Sequence, residues 1–203
     1  MTSIVDYGVG NLFSLSCSLQ SIGEEIRITS SPDEILCADR VILPGVDAFG
    51  DAAALLRESG LDKTVKACAE AGKPLLGICL GMQLLFERSF EFGEHRGLGL
   101  LSGSVVSMEG RIPENLKIPQ IGWNALSFKR QHPLLRYIRN GDFVYFVHSF
   151  FATDCDDDLV AVTEYGCEMT AVAAKGSVMG CQFHPEKSGD VGLSILRAFC
   201  EMT

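Results

Sequence analysis

Pro74-Leu75-Leu76-Gly77-Ile78-Cys79-Leu80-Gly81-Met82-Gln83 is the stretch on which the fold of this chain turns. An apolar run of strand character stops at a cysteine with a glycine two residues away on either side. Leu84-Leu85-Phe86-Glu87 then reads as the body of a helix. Small residues at a strand-to-helix turn leave room for a sharp elbow. The serine form of that elbow lifts its nucleophile above a sheet edge and leaves the next backbone N–H free for an oxyanion. A helix N-terminus also favours thiolate over thiol. Cys79 is therefore the candidate nucleophile and the Leu80 N–H a candidate oxyanion donor. The competing reading, a small buried strand cysteine, suits most of the eight cysteines.

On the N-terminal side of the elbow, strands and helices alternate. A strand is predicted over Ser3–Asp6. A helix follows with an apolar stripe at Leu12, Leu15, Leu19 and Ile22 and Gly23 as its stop. Next come a strand over Glu25–Ile28, a helix over Pro32–Ala38 and a strand over Arg40–Leu43 that ends at Pro44-Gly45. Helices over Ala48–Arg57 and Leu61–Ala71 lead into the elbow. Such alternation predicts a mostly parallel sheet with helices on both faces. From Leu98 the pattern becomes strand after strand, over Ser104–Ser107, Trp123–Phe128, Phe143–Phe150, Leu159–Tyr165, Met169–Ala174 and Val178–Phe183. This reads as an antiparallel or mixed extension, closed by a helix over Gly189–Cys200, with Asp156-Asp157-Asp158 as a solvated loop. At 203 residues and 47% hydrophobic, the chain suffices for one α/β domain over 1–203 with a full core.

A nucleophilic cysteine needs a base, and there are four histidines. His132 precedes Pro133 at what looks like a helix start, His95 lies in a polar loop, and His148 sits in the apolar strand Phe143–Phe150. His184 closes the strand Val178–Phe183 and is followed by Pro185-Glu186. In an extended chain residues i and i+2 project to one side, and Pro185 fixes φ between them. Glu186 is thus placed to hold the His184 ring in one tautomer while the other nitrogen faces a thiol. Cys79 and His184 both fall at C-terminal strand ends, the edge where open α/β sheets build their sites.

These segments, Gly77-Ile78-Cys79-Leu80-Gly81-Met82-Gln83 and Phe183-His184-Pro185-Glu186, resemble the triad glutamine amidotransferases. Asp6-Tyr7-Gly8-Val9-Gly10-Asn11-Leu12, Pro119-Gln120-Ile121-Gly122-Trp123-Asn124 and Tyr145-Phe146-Val147-His148-Ser149 narrow the likeness to the glutaminase subunits of imidazole glycerol phosphate synthases. The resemblance implies a flavodoxin-like fold and a Cys79–His184–Glu186 triad that releases ammonia from L-glutamine. It implies a second oxyanion donor at the Val46 N–H, beside Gly45. It also implies substrate contacts from Gln83, Glu91 and His148-Ser149-Phe150, and a partner face with Asn11, Trp123 and Lys187. The partner it implies is a separate (β/α)8-barrel cyclase subunit that consumes the ammonia, giving a heterodimer for histidine synthesis. No metal or organic cofactor is implied. A paralogue serving another amidotransferase pathway, a cysteine peptidase-like hydrolase and a regulatory subunit with a decayed site stand as alternatives.

The sequence departs from the family pattern at three places: Asp47 where glycine is usual, Gln120 where histidine is frequent, and Phe150 where tyrosine is usual. Asp47 either faces the pocket or caps the helix predicted from Ala48, and its residue type favours the cap. For Glu91 the alternative to an ammonium partner is an exposed loop carboxylate, and for Trp123 the alternative to a partner anchor is a core position.

Composition excludes other classes. A formal charge of −9 disfavours nucleic acid and anionic membranes as partners. No apolar stretch reaches the length of a membrane span, and the N-terminus carries no signal-peptide pattern. The cysteines form no Cys-x-x-Cys pair, which disfavours zinc and redox dithiols. A free thiolate then belongs in a reducing compartment, so the expected location is the cytoplasm.

Overall fold

The computed structural model describes residues 1–203. Its first half is the predicted alternation: β1 (Thr2–Val5), α1 (Leu12–Ser21), β2 (Ile26–Thr29), α2 (Pro32–Cys37), β3 (Arg40–Leu43), α3 (Phe49–Glu58), α4 (Leu61–Glu70), β4 (Leu75–Ile78) and α5 (Leu80–Leu85). The second half is strand-rich: β5 (Arg88–Ser89), β6 (His95–Arg96), β7 (Ser104–Ser107), β8 (Gln120–Ala125), β9 (Ser127–Phe128), β10 (Phe143–His148), β11 (Phe150–Thr153), β12 (Leu159–Glu164), β13 (Glu168–Lys175) and β14 (Val178–Cys181), then α6 (Gly189–Cys200).

An eight-stranded sheet in the order β2-β1-β3-β4-β14-β13-β12-β9 organises the molecule. β2, β1, β3, β4 and β14 pair in parallel, and β13, β12 and β9 extend the sheet antiparallel. The central strands are buried on both sides, so they read as continuous apolar runs. One face is covered by α1 and α6 through Leu15, Leu19, Ile195, Leu196 and Phe199. The other is covered by α2, α3 and α4 through Ile35, Phe49, Leu56, Leu61 and Val65. No helix is long and apolar enough to cross a membrane.

Two predicted strands are each two elements. Phe143–Phe150 breaks at Ser149: β10 pairs with β8, whereas β11 pairs with β7 in a separate four-stranded sheet. Trp123–Phe128 breaks at Leu126, whose side chain turns into the core while β9 joins the main sheet. An unbroken run of strand formers does not reveal a change of sheet, because propensity is the same in either. The aspartate loop is only partly solvated. Asp158 is buried and its Oδ2 accepts the Ser102 N–H at 2.9 Å.

Candidate active site

β4 lies between β3 and β14, so the segments leaving these three strands meet at one sheet edge. Pro44-Gly45-Val46-Asp47 follows β3, Cys79-Leu80 follows β4, and Gln182 to Glu186 follow β14. Cys79 holds φ at +54°, a region that costs a residue with a Cβ on the order of 1–3 kcal/mol and marks the expected elbow. Close packing dictates the flanking glycine. A Cβ on Gly81 would stand 1.9 Å from the Leu43 carbonyl oxygen, so only glycine lets α5 start against the end of β3. The helix is shorter than predicted and stops at Leu85.

Cys79 and His184, both buried, line one cavity of about 380 Å³. His184 Nδ1 lies 2.8 Å from Glu186 Oε1, with both side chains almost inaccessible. Pro185–Lys187 is a 3-10 turn, so the chain is not extended between them. The turn brings the carboxylate back under the ring, a placement the i, i+2 argument reached by another geometry. Burial alone would lower the His184 pKa, but pairing with Cys79 and Glu186 outweighs it and raises the ring to about 10. The imidazolium is therefore the resting form at neutral pH. Cys79 Sγ is 4.0 Å from the Val147 oxygen and 3.7 Å from Gln182 Nε2, long contacts of the kind that tighten when substrate arrives.

Val46, Leu80, Gln83, Glu91, His148, Ser149, Phe150 and Lys187 line the same cavity. Gly45 lies beneath it, packed on Gly81 and Tyr7. Gln83 is buried and commits its amide Nε2 to the Phe150 oxygen and to Gln182 Oε1, both at 3.0 Å. His148 Nδ1 reaches the same Phe150 oxygen at 2.8 Å, and its Nε2 lies 3.0 Å from Gln120 Oε1. Burial, aided by the charge of His184, lowers His148 to about 4 against the pull of the Phe150 carbonyl. His148 is thus held between the Phe150 carbonyl and the Gln120 amide. Phe150 stacks edge-on against Phe92 at 6.2 Å, so the apolar ring at this position closes one wall of the cavity.

One alternative falls here, and one expectation needs correction. Glu91 is no exposed loop carboxylate: it is buried, burial raises its pKa, and its Oε2 accepts the Phe49 N–H at 2.7 Å. Asp47 does not cap α3. The N-cap position is Ala48, which makes no side-chain cap bond, and Asp47 is exposed on the cavity rim with φ at +73°. The first N–H of α3, that of Phe49, is taken by Glu91 instead.

Asn11, Trp123 and Lys187 lie around the site. Asn11 is half-buried, caps α1 through the Ser14 N–H, and shares a small cavity with His184 and Glu186. Trp123 is 51% exposed, so it is not a core residue. Its ring meets Tyr145 edge-on at 6.0 Å, and Lys187 Nζ lies 5.9 Å from the centre of that Tyr145 ring. Sequence reasoning passed over Tyr7, whose buried hydroxyl donates to the Pro44 oxygen at 2.8 Å and holds the loop after β3. It also passed over Gln182. A lone amide in the apolar run Val178–Phe183 was the signal there, and the structure shows it fully buried.

The model of the class-I glutamine amidotransferase family matches residues 3–202. Imidazole glycerol phosphate synthase subunit HisH of Caldanaerobacter subterraneus subsp. tengcongensis is 50% identical over 203 residues, covering 100% of this chain and 98% of that relative. The subunit of the same name from Wolinella succinogenes is 48% identical over 204 residues, covering 100% of both. Among solved structures, PurLQS from Thermotoga maritima superposes with a TM-score of 0.75 at 22% identity, covering 98% of this chain and 96% of that one. A crystal structure of a glutamine amidotransferase gives 0.74 at 19% identity, covering 97% and 98%. At these identities the structural likeness speaks to the fold.

Proposed function

The chain belongs to the class-I glutamine amidotransferases, among the HisH subunits of imidazole glycerol phosphate synthase, and from that premise we propose how its residues work. It is a glutaminase of histidine biosynthesis that takes ammonia from L-glutamine. The Cys79 sulfur attacks the carboxamide carbon, and the oxyanion is held by the backbone N–H groups of Leu80 and Val46. The His184 imidazolium protonates the departing amine, and ammonia leaves a γ-glutamyl thioester. His184, now neutral, takes a proton from water as the water oxygen attacks the thioester, and the acid departs as the Cys79 thiolate is expelled beside the restored imidazolium. Glu186 holds the ring throughout. Each oxyanion donor contributes about 2.7–4 kcal/mol to barrier lowering in sites of this kind. Glu91 supplies negative charge for the substrate ammonium. A cavity of about 380 Å³ lies near the lower end of small-molecule pockets and suits a free amino acid.

The ammonia acceptor is a (β/α)8-barrel cyclase subunit, which docks on the surface formed by Trp123, Tyr145 and Lys187 beside Asn11. An exposed tryptophan supported by a second aromatic ring is the kind of anchor that carries interface energy.

The observation that carries the mechanism is a His184 ring pinned by Glu186 in the cavity that also holds Cys79. The test is Cys79→Ala in the complex with its cyclase. Glutamine-dependent synthesis should vanish while synthesis from added ammonium salts persists. Equal loss of both would make Cys79 a structural residue.

A further inference from the structure

We propose that Gln182 is a hydrogen-bond donor to the nucleophile, aimed at the Cys79 sulfur by Gln83. The proposal rests on Cys79 being the nucleophile, as argued above.

The orientation of the two amides follows from one backbone carbonyl. The Phe150 oxygen can only accept, so Gln83 must present Nε2 to it at 3.0 Å. The same nitrogen faces Gln182 at 3.0 Å, so the Gln182 atom there must be Oε1. That leaves Nε2 of Gln182 on the sulfur side, 3.7 Å from Cys79 Sγ. Flipping Gln83 would set oxygen against oxygen, and flipping Gln182 would set N–H against N–H, in a buried site where an unmade hydrogen bond is expensive. Gln182 is fully buried and Gln83 nearly so, hence water cannot relieve such a clash. The main chain is fixed as well, since the Gln182 N–H donates to the Ala171 oxygen at 2.9 Å.

The His184 ring, raised by its pairing with Cys79 and Glu186, already faces the sulfur, and the Gln182 N–H adds a second donor there. The neighbouring Cys181 is fully buried, and burial with the nearby charges of Glu186 and Cys79 holds its thiol well above the ordinary range. The Cys79 N–H donates to the Cys181 carbonyl at 2.8 Å, so the two thiols belong to adjoining positions of the same core. The Val147 carbonyl, 4.0 Å from Sγ, can only accept, which favours the protonated sulfur. An N–H directed at sulfur is a charge-assisted bond in the thiolate and a weak one in the thiol, so it favours the reactive form.

The test is the pH profile of Cys79 alkylation by iodoacetamide, read by mass spectrometry of the Cys79 peptide in the full-length chain. The reading needs no glutamine, so effects on substrate binding do not enter. In Gln182→Met the midpoint should rise by about one pH unit, which is tenfold less thiolate below the midpoint. Gln182→Glu keeps the shape but replaces the donor by a carboxylate, and its midpoint should rise further. Gln83→Met, which releases the aim of Gln182, should shift it in the same direction and serves if the Gln182 variants fail to fold. Unchanged midpoints in the folded variants would overturn the proposal and leave Gln182 a packing residue. A separate failure would identify itself: if complete alkylation of Cys79 left glutamine hydrolysis intact, the nucleophile assignment itself would fall.

Discussion

Glu91 Oε2 accepts the Phe49 N–H at 2.7 Å, so a carboxylate lining the cavity also caps the helix that follows the oxyanion loop. The carboxylate proposed to meet the substrate's ammonium and the start of α3 are thereby one structural unit. Glu91→Gln keeps an acceptor but removes the charge, and should cost about 0.3–1 kcal/mol of stability through the helix dipole. The Michaelis constant for glutamine should rise more than kcat falls. A kcat loss with unchanged KM would place Glu91 outside ammonium recognition.

His184 and Glu186 should separate in kinetics. His184→Ala removes the proton carrier, whereas Glu186→Gln leaves the carrier and disturbs its orientation. We expect His184→Ala to be the more severe in glutamine turnover, with ammonia-dependent synthesis in the complex spared in both. Equal severity would mean that Glu186 does more than orient the ring.

The two buried histidines give stability opposite pH dependences. In the folded chain His184 keeps its proton up to about 10, against an ordinary value of 6.5. The folded state therefore binds more protons between these values. Its contribution is full below pH 6.5 and lost as pH rises through about 10. His148 is lowered to about 4, so the folded state binds fewer protons between pH 4 and 6.5. That contribution is full above pH 6.5 and lost as pH falls through about 4. Melting temperatures from pH 4 to 10 should show a flatter alkaline limb in His184→Asn and a flatter acid limb in His148→Gln. The reverse assignment of limbs would contradict the burial and pairing described here.

Asp47 occupies a left-handed backbone position on the cavity rim without capping α3. Asp47→Gly removes the Cβ strain, on the order of 1 kcal/mol, and adds a comparable entropy to the unfolded chain. The melting temperature should therefore stay close to that of the parent. Basal glutaminase activity should rise severalfold, because a negative charge beside the forming oxyanion is gone. A clear loss of stability without a gain in turnover would show that Asp47 anchors the loop.

Gly81→Ala should be among the most damaging single changes outside the triad. Its Cβ would overlap the Leu43 carbonyl, and that oxygen belongs to β3 and cannot swing aside. Overpacking against backbone should cost about 3 kcal/mol or more, with chemical denaturation as the measure. A variant of parental stability would mean that α5 can shift away from β3.

The parallel half of the fold was legible in the chain because its signals are local. The apolar stripe of α1, the runs of β3 and β4 and the glycines around Cys79 each follow from a few adjacent residues whose periodicity or bulk admits one conformation. The pairing of Cys79 with His184 in one cavity was legible for the same reason, since both are strand-end residues with diagnostic neighbours. Tertiary structure decided what depends on distant partners. Ser149 divides one apolar run between two sheets because β10 and β11 find different neighbours, β8 and β7. The cap of α3 comes from Glu91, 42 residues beyond Phe49, so no inspection of the residues around Asp47 could assign it. Gln182 meets Cys79 across 103 residues, and only because β14 lies beside β4. A hydrogen bond between such residues depends on strand order and register, which are properties of the whole packed sheet.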